Sequence, residues 1–431
     1  MRSTEMTATS TESRFPRWRP AAIETAQVNK PGEIHTGKPP ASYWLLLTFV
    51  LLLYANLPFV LPASEVLRPA MVIALLGVLA LLSQTAFGSR TFDFAFPEGG
   101  LLIAFLGAAG LSCFSALWPQ YAFGFFTTLL KMGVVYFVIV NSAMTKRTLQ
   151  GVMTAMVVGG VFPAIGTLRN YALGDVVEGR TAWVGIFANP NEVAYSLVIL
   201  LPLAAYLISE RRGIMRIALV AISLIYIPAI FVTFSRGGMI GLGAVAIIYA
   251  WRKRIVWLQI LMVVMVVGGM LAASRFWSRG EGFSKLSDDV SFQERVATSQ
   301  AGFEMFIDHP LLGVGLACSS IAWPLYAPAG LLTRGAIITH NTLIQSLSET
   351  GILGFVPFVL LIGAGLFHMR TLGRSTEKHI AGIGTAIEVA IWGLVVCGMS
   401  GGYVVTWFPY LLLGLAASAR RIAREQTKET A

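Results

Sequence analysis

The sequence predicts an all-α polytopic membrane protein of about twelve transmembrane helices, with one large loop on the non-cytoplasmic side before the tenth helix. Three observations predict it. Of 431 residues, 55% are hydrophobic and 13% charged, where a soluble domain carries about 25% charged residues. Mean hydropathy is +0.70. Apolar stretches of about 20 residues, the length that crosses a bilayer, recur along the whole chain. Lys and Arg between them fall on alternate connections, as the positive-inside rule demands.

Residues 1–41 are polar, rich in Pro, Thr, Ser and Arg, and read as a disordered cytoplasmic tail. A long polar tail followed by an apolar run ending in Leu61-Pro62-Ala63 is not a cleavable leader, so the first span is retained. Spans are expected at about 42–62, 66–86, 100–118, 121–141, 150–168, 193–209, 217–234, 237–251, 255–274, 351–369, 380–400 and 403–419. The eighth is short. With the tail inside, the cytoplasmic loops hold Arg90; Lys146 and Arg147; Arg211, Arg212 and Arg216; Arg252, Lys253 and Arg254; and Arg370, Arg374 and Lys378. The short outer connections 63–65, 119–120 and 401–402 hold no basic residue. Dropping or adding one span inverts every later loop and destroys this alternation. Both termini therefore face the cytoplasm. The organisation is nine spans over 42–274, a large outer loop with short helices over 275–350, three spans over 351–420 and a short cytoplasmic tail over 421–431.

The formal charge of +10 sits in the cytoplasmic loops. No basic amphipathic stretch with interleaved aromatics suggests nucleic acid. Cys113, Cys318 and Cys397 form neither a disulfide framework nor a metal spacing. No glycine-rich phosphate loop points to ATP-driven transport. No His, Cys and carboxylate set has zinc spacing. Asp288-Asp289 is a solvated pair rather than a metal site, and no Asp-x-Asp or Gly-x-Ser-x-Gly motif occurs.

In so apolar a chain the informative residues are polar ones in costly places. On the outer side these are Arg180, Asn189, Asn191, Glu192, Arg236, Arg295, His340 and Asn341. Thr339 reads as the cap of a helix that holds His340 in its first turn, where the helix dipole favours neutral imidazole able to accept a proton. The alternative is a loop histidine bonded locally. Arg236, in Ser235-Arg236-Gly237-Gly238, has a planar fork suited to phosphate oxygens, with glycines that admit a close neighbour. Otherwise it is a snorkelling interfacial arginine. Pro190 starts a helix capped by Asn189, which leaves Asn191, Glu192 and Arg180 without a structural reason. Gln293-Glu294-Arg295 begins an amphipathic helix of about 292–307, closed by the Pro/Gly turn 308–315 with His309 capping its end or facing water. Lys131 and Glu388 lie mid-span, either paired with each other or lining a polar cavity.

One set of motifs carries a resemblance. His340-Asn341, a gap of nine residues, then Gly351-Ile352-Leu353-Gly354 resembles the histidine motif of bacterial O-antigen ligases. Pro310-Leu311-Leu312-Gly313-Val314-Gly315 is similar to an element upstream of it in that family. Ser235-Arg236-Gly237 and Phe187-Ala188-Asn189-Pro190-Asn191 also look like the superfamily, and the similarity runs over about 100–420. The resemblance implies about twelve helices with a large periplasmic loop in the bacterial inner membrane. It implies transfer of a glycan from undecaprenyl pyrophosphate to an acceptor sugar hydroxyl at the periplasmic face, with no metal, nucleotide or other cofactor. Ligases use lipid A–core as acceptor; polymerases of O-antigen or exopolysaccharide use another carrier-linked repeat unit. On that reading His340, Arg236 and Arg180 are catalytic, the arginines on the pyrophosphate and His340 on the acceptor proton. Asn341, Asn191, Glu192 and Arg295 bind substrate. A secondary transporter, favoured by Lys131 and Glu388, and a non-catalytic scaffold or flippase partner are the alternatives.

Overall fold

The computed structural model describes residues 39–87, 91–177, 179–254, 268, 290–328 and 338–430. Among them the protein is all-helical, and its sole extended pairing is an isolated bridge between Val177 and Arg180. The helices are α1 (Ala41–Ala55), α2 (Pro69–Ala86), α3 (Glu98–Phe114), α4 (Pro119–Ser142), α5 (Lys146–Gly159), α6 (Val161–Ala172), α7 (Pro190–Glu210), α8 (Gly213–Val232), α9 (Arg236–Arg252), α10 (Val290–Asp308), α11 (Ser319–Tyr326), α12 (Thr342–Leu372), α13 (Lys378–Gly398) and α14 (Trp407–Thr430).

Seven helical stretches among the described residues are long and apolar enough to cross a membrane. They are Pro62–Ala86, Pro119–Ser142, Lys146–Ala172, Pro190–Glu210, Gly213–Val232, Thr342–Leu372 and Lys378–Gly398. Ala41–Ala55 and Glu98–Phe114 are shorter apolar helices. Each coincides with a stretch expected from sequence. The expected ninth span, 255–274, lies outside the described residues, as do Arg90, Arg275, Arg279, Lys285, Asp288, Asp289 and Arg334.

Where the helices begin follows from local chemistry. Thr145 and Thr148 form a reciprocal capping box at the start of α5. Asn189 caps α7 with Pro190 at its first position, Ser235 caps α9, and Asn341 caps α12. Three boundaries differ from the sequence reading. The last helix runs over Trp407–Thr430, on through the residues read as a tail after 420. The first span is interrupted at Asn56, which adopts a left-handed conformation and donates from Nδ2 to Val184 O at 2.8 Å. The tenth begins at Thr342 rather than 351, because polar residues 342–350 are helical and packed inside the protein.

α7 and α13 are the most buried spans; α2 and α8 are the most peripheral. α13 packs on α7 and α9, and α12 packs on α3 and α13. The ends bearing the basic loops are tied by ion pairs. Glu98 bonds His368 at 2.5 Å and also Arg420; Arg252 reaches Glu388 at 2.7 Å; Lys146 reaches Glu210 at 3.0 Å. Glu388 therefore pairs with Arg252, not with Lys131, which is exposed on α4.

Candidate active site

At the ends away from these basic loops, the first residues of α7, α9 and α12 and the turn between α13 and α14 converge. Hydrogen bonds fix this arrangement. Ser235 Oγ donates to Asn191 Oδ1 at 2.7 Å, joining the starts of α9 and α7. Tyr195 and Ser400 share a hydroxyl bond of 2.8 Å, joining α7 to the turn after α13. Thr342 Oγ1 donates to Gly401 O at 2.7 Å and accepts from Tyr403 N at 3.0 Å, joining that turn to α12. Gly237 is required here, since a Cβ at this position would lie 2.1 Å from Ser400 Oγ and 2.2 Å from Tyr195 Oη. Three helix N-termini meeting in one place bring together the positive ends of three dipoles, a setting that favours anions.

Arg180 lies on the loop before α7, in a turn closed by Val177 N to Arg180 O at 2.9 Å and Arg180 N to Val177 O at 3.0 Å. Its Nη2 donates to Asn191 Oδ1 at 2.6 Å and its Nε to Thr233 O at 3.3 Å. One amide oxygen thus collects a guanidinium and a serine hydroxyl. Asn191 has the structural partner that the sequence could not supply. Arg236 is the first residue of α9, half-buried, directly after the capping Ser235.

His340 stands immediately before the cap of α12 rather than in its first turn. The cap is Asn341, whose Oδ1 accepts from Leu343 N at 3.0 Å and Ile344 N at 3.2 Å; Thr339 does not cap. The spacing cannot separate these registers, because Thr and Asn are both good caps. His340 is half-buried. Its pKa is lowered to about 4, first by burial, then by the positive charge of Arg295, with Arg180 adding to the fall and Glu294 opposing it. Burial is the leading cause, where the sequence reading invoked the helix dipole. Arg295 comes from α10, which packs on the start of α12: a Cβ at Gly302 would lie 2.7 Å from Ile344 Cγ2.

Glu192 lies in the first turn of α7, the residue after Asn191. All seven residues singled out from sequence (His340, Arg236, Arg180, Asn341, Asn191, Glu192 and Arg295) lie at this end. Asn341 has its oxygen engaged as a cap. Sequence reasoning missed Ser235, Tyr195, Ser400 and Thr342. Ser235 alone left a signal, a serine three residues before Gly238 at a helix start.

The glycine motifs have a separate, structural explanation. Within α12, Gly351 adopts φ 58° and ψ −165°, outside helical space, and breaks the ladder. The freed groups are satisfied by the 310–315 turn: Ile352 N donates to Pro310 O at 2.8 Å, Leu353 N to Leu311 O at 3.2 Å, and Val314 N to Ser348 O at 2.9 Å. Gly313, at φ +67°, has no room for a Cβ, which would lie 2.4 Å from Ser348 O. Beside the break, the buried Glu349 accepts from Ser319 Oγ at 2.6 Å and Ala317 N at 3.0 Å.

Residues 218–359 match the family model described as O-antigen ligase. The match supports placing the chain in the O-antigen ligase/polymerase superfamily. The matched segment contains Arg236, Arg295, His340, Asn341 and the Gly351 break; Arg180, Asn191 and Glu192 lie upstream of it. No curated protein matches the chain. Among the described residues, no group of three His, Cys, Asp or Glu side chains could hold a metal ion.

Proposed function

We propose that the protein is a ligase-type glycosyltransferase of the bacterial inner membrane. Both termini are cytoplasmic and the site faces the periplasm. It moves a glycan from undecaprenyl pyrophosphate to a sugar hydroxyl of lipid A–core. The observation that carries this reading is His340, half-buried and neutral at physiological pH, within the field of two arginines at a convergence of helix N-termini.

The donor pyrophosphate sits against Arg180, Arg236 and Arg295, where guanidinium forks match its oxygens. The acceptor hydroxyl oxygen forms a bond to the anomeric carbon as the bond from that carbon to the pyrophosphate oxygen breaks. Undecaprenyl pyrophosphate leaves with the electron pair, and the hydroxyl proton passes to His340. The arginines stabilise charge growing on the leaving group, which lowers the barrier more than equal binding of ground and transition states does. Asn191 holds Arg180 in register; Glu192 and Asn341 contact the sugars.

The test is a deletion strain complemented with wild type, His340→Ala or Arg236→Ala at matched membrane levels, with its lipopolysaccharide and secreted polysaccharide resolved on gels. The expected outcome is loss of long glycan bands from lipid A–core while carrier-linked polymer accumulates. Single repeat units in place of polymer would instead assign the same chemistry to a polymerase, with a carrier-linked repeat as acceptor. Full restoration of every band by both variants would remove the catalytic reading.

A further inference from the structure

The helix that carries Arg295 has two faces. Ala297, Ala301 and Met305 are buried, and Gly302 packs on Ile344 and Thr339 under His340. On the other side Val296, Phe303 and Ile307 are 42%, 53% and 59% exposed. At roughly 100° per residue, positions 296, 303 and 307 fall within about 40° of one another. This is one narrow apolar stripe along α10, with Gln300, Glu304 and Asp308 to one side of it.

The stripe does not stop at the end of the helix. Leu311, 63% exposed, continues it through the following turn. The Leu311 carbonyl accepts from Leu353 N at 3.2 Å. Leu353, Val356 and Leu360 are exposed in turn, on one face of the apolar span α12. An exposed apolar face of a membrane-crossing helix is a lipid face. The α10 stripe is therefore the outer continuation of a lipid face, joined to it by a backbone hydrogen bond.

We propose that α10 lies in the outer leaflet interface, with Phe303, Ile307 and Leu311 seated among lipid acyl chains and Glu304 and Asp308 turned to the headgroups and water. An amphipathic helix binds such an interface in proportion to the apolar area it buries. The occupant is membrane lipid. The seat makes α10 a shelf in the leaflet rather than part of a water-exposed loop. It also places Arg295 and the His340 loop one helix thickness, about 10 Å, from the lipid in which a prenyl-linked donor travels. This role deepens the transferase reading; the seat itself rests on apolar continuity alone.

The full chain, reconstituted without donor or acceptor in phosphatidylethanolamine–phosphatidylglycerol liposomes, is spin-labelled at single added cysteines. The added sites are Phe303→Cys, Ile307→Cys and Glu304→Cys, with Val356→Cys as the lipid-face reference. Cys113, Cys318 and Cys397 are buried, and the parent chain reports their background. Labels at 303 and 307 are expected to be relaxed severalfold more by oxygen than by a nickel chelate, as at 356, with the order reversed at 304. Equal relaxation by the nickel chelate at 303, 307 and 304 would overturn the proposal. So would spin–spin broadening at 303 or 307, which would show a second copy covering the stripe. Because no substrate is present, these outcomes are independent of what His340 and Arg236 variants do to glycan transfer.

Discussion

At the scale of single residues, His340 sets the pH behaviour. Its pKa of about 4 lies below the roughly 6.5 of an exposed imidazole. Protonation therefore favours the unfolded chain. The stability gained from burying neutral His340 is full above about 6.5 and is lost as pH falls toward 4. If neutral His340 takes the acceptor proton, the acid limb of kcat/KM for the free enzyme falls near 4, well below 6.5. Arg295→Gln removes the largest cause after burial. The limb should move upward yet stay below 6.5, because burial remains; a pH–rate profile with a limb unmoved by Arg295→Gln would detach His340 from the proton transfer. A bound pyrophosphate offsets the charges of Arg180 and Arg295, so the limb of kcat lies above that of kcat/KM. The identity of these residues was legible because polar groups are costly in such a chain. Their partners were not. Asn191 takes its meaning from Arg180, 11 residues away, and from Ser235, 44 residues away, and no local pattern encodes either contact.

At the scale of elements, α12 shows what hydropathy cannot see. The apolar run begins at 351, and a span was expected there. The helix begins at Thr342, after its cap Asn341, and its polar first turns are inside the protein, where Glu349 is satisfied by the start of α11. Burial of a satisfied carboxylate leaves no trace in an apolar count. The same holds for Asn56, whose partner Val184 is 128 residues distant. The break at Gly351 yields a sharp comparison. Gly351→Ala puts a methyl 2.3 Å from the Leu311 carbonyl and a non-glycine residue at positive φ. Strain of this kind costs about 1–3 kcal/mol before the clash is counted. Gly363→Ala, on the same helix with nothing within 4 Å, is expected to be neutral. Thermal unfolding in detergent separates the two, and equal midpoints would show that the break carries no constraint.

At the scale of the whole molecule, buried α7 and α13 run from a clasped basic end to the candidate site. The alternation of Lys and Arg placed Lys146 and Arg252 at one end, but not the acids that hold them. Glu98 is 1% exposed and binds Arg420 and His368. Removing one partner of a buried pair costs about 3–5 kcal/mol, so Glu98→Ala should lower the unfolding midpoint strongly. Arg421 pairs with the exposed Glu425 at 3.0 Å and with Asp93 at 3.4 Å. Glu425→Ala, at an exposed pair, should cost less than about 1 kcal/mol. Comparable losses would mean that the Glu98 cluster is no more than a surface contact.

The nine-residue gap between Asn341 and Gly351 acts as a ruler. Its two marks are a cap that fixes where the helix starts and a break that fixes where its ladder is handed to the 310–315 turn. Nine residues make about two and a half turns and about 13 Å of rise. Inserting or deleting one residue between the marks would leave both motifs and the helix intact. It would change their separation by about 1.5 Å and rotate one relative to the other by about 100°, turning His340 out of phase with Arg295. Length is the quantity such a motif sets.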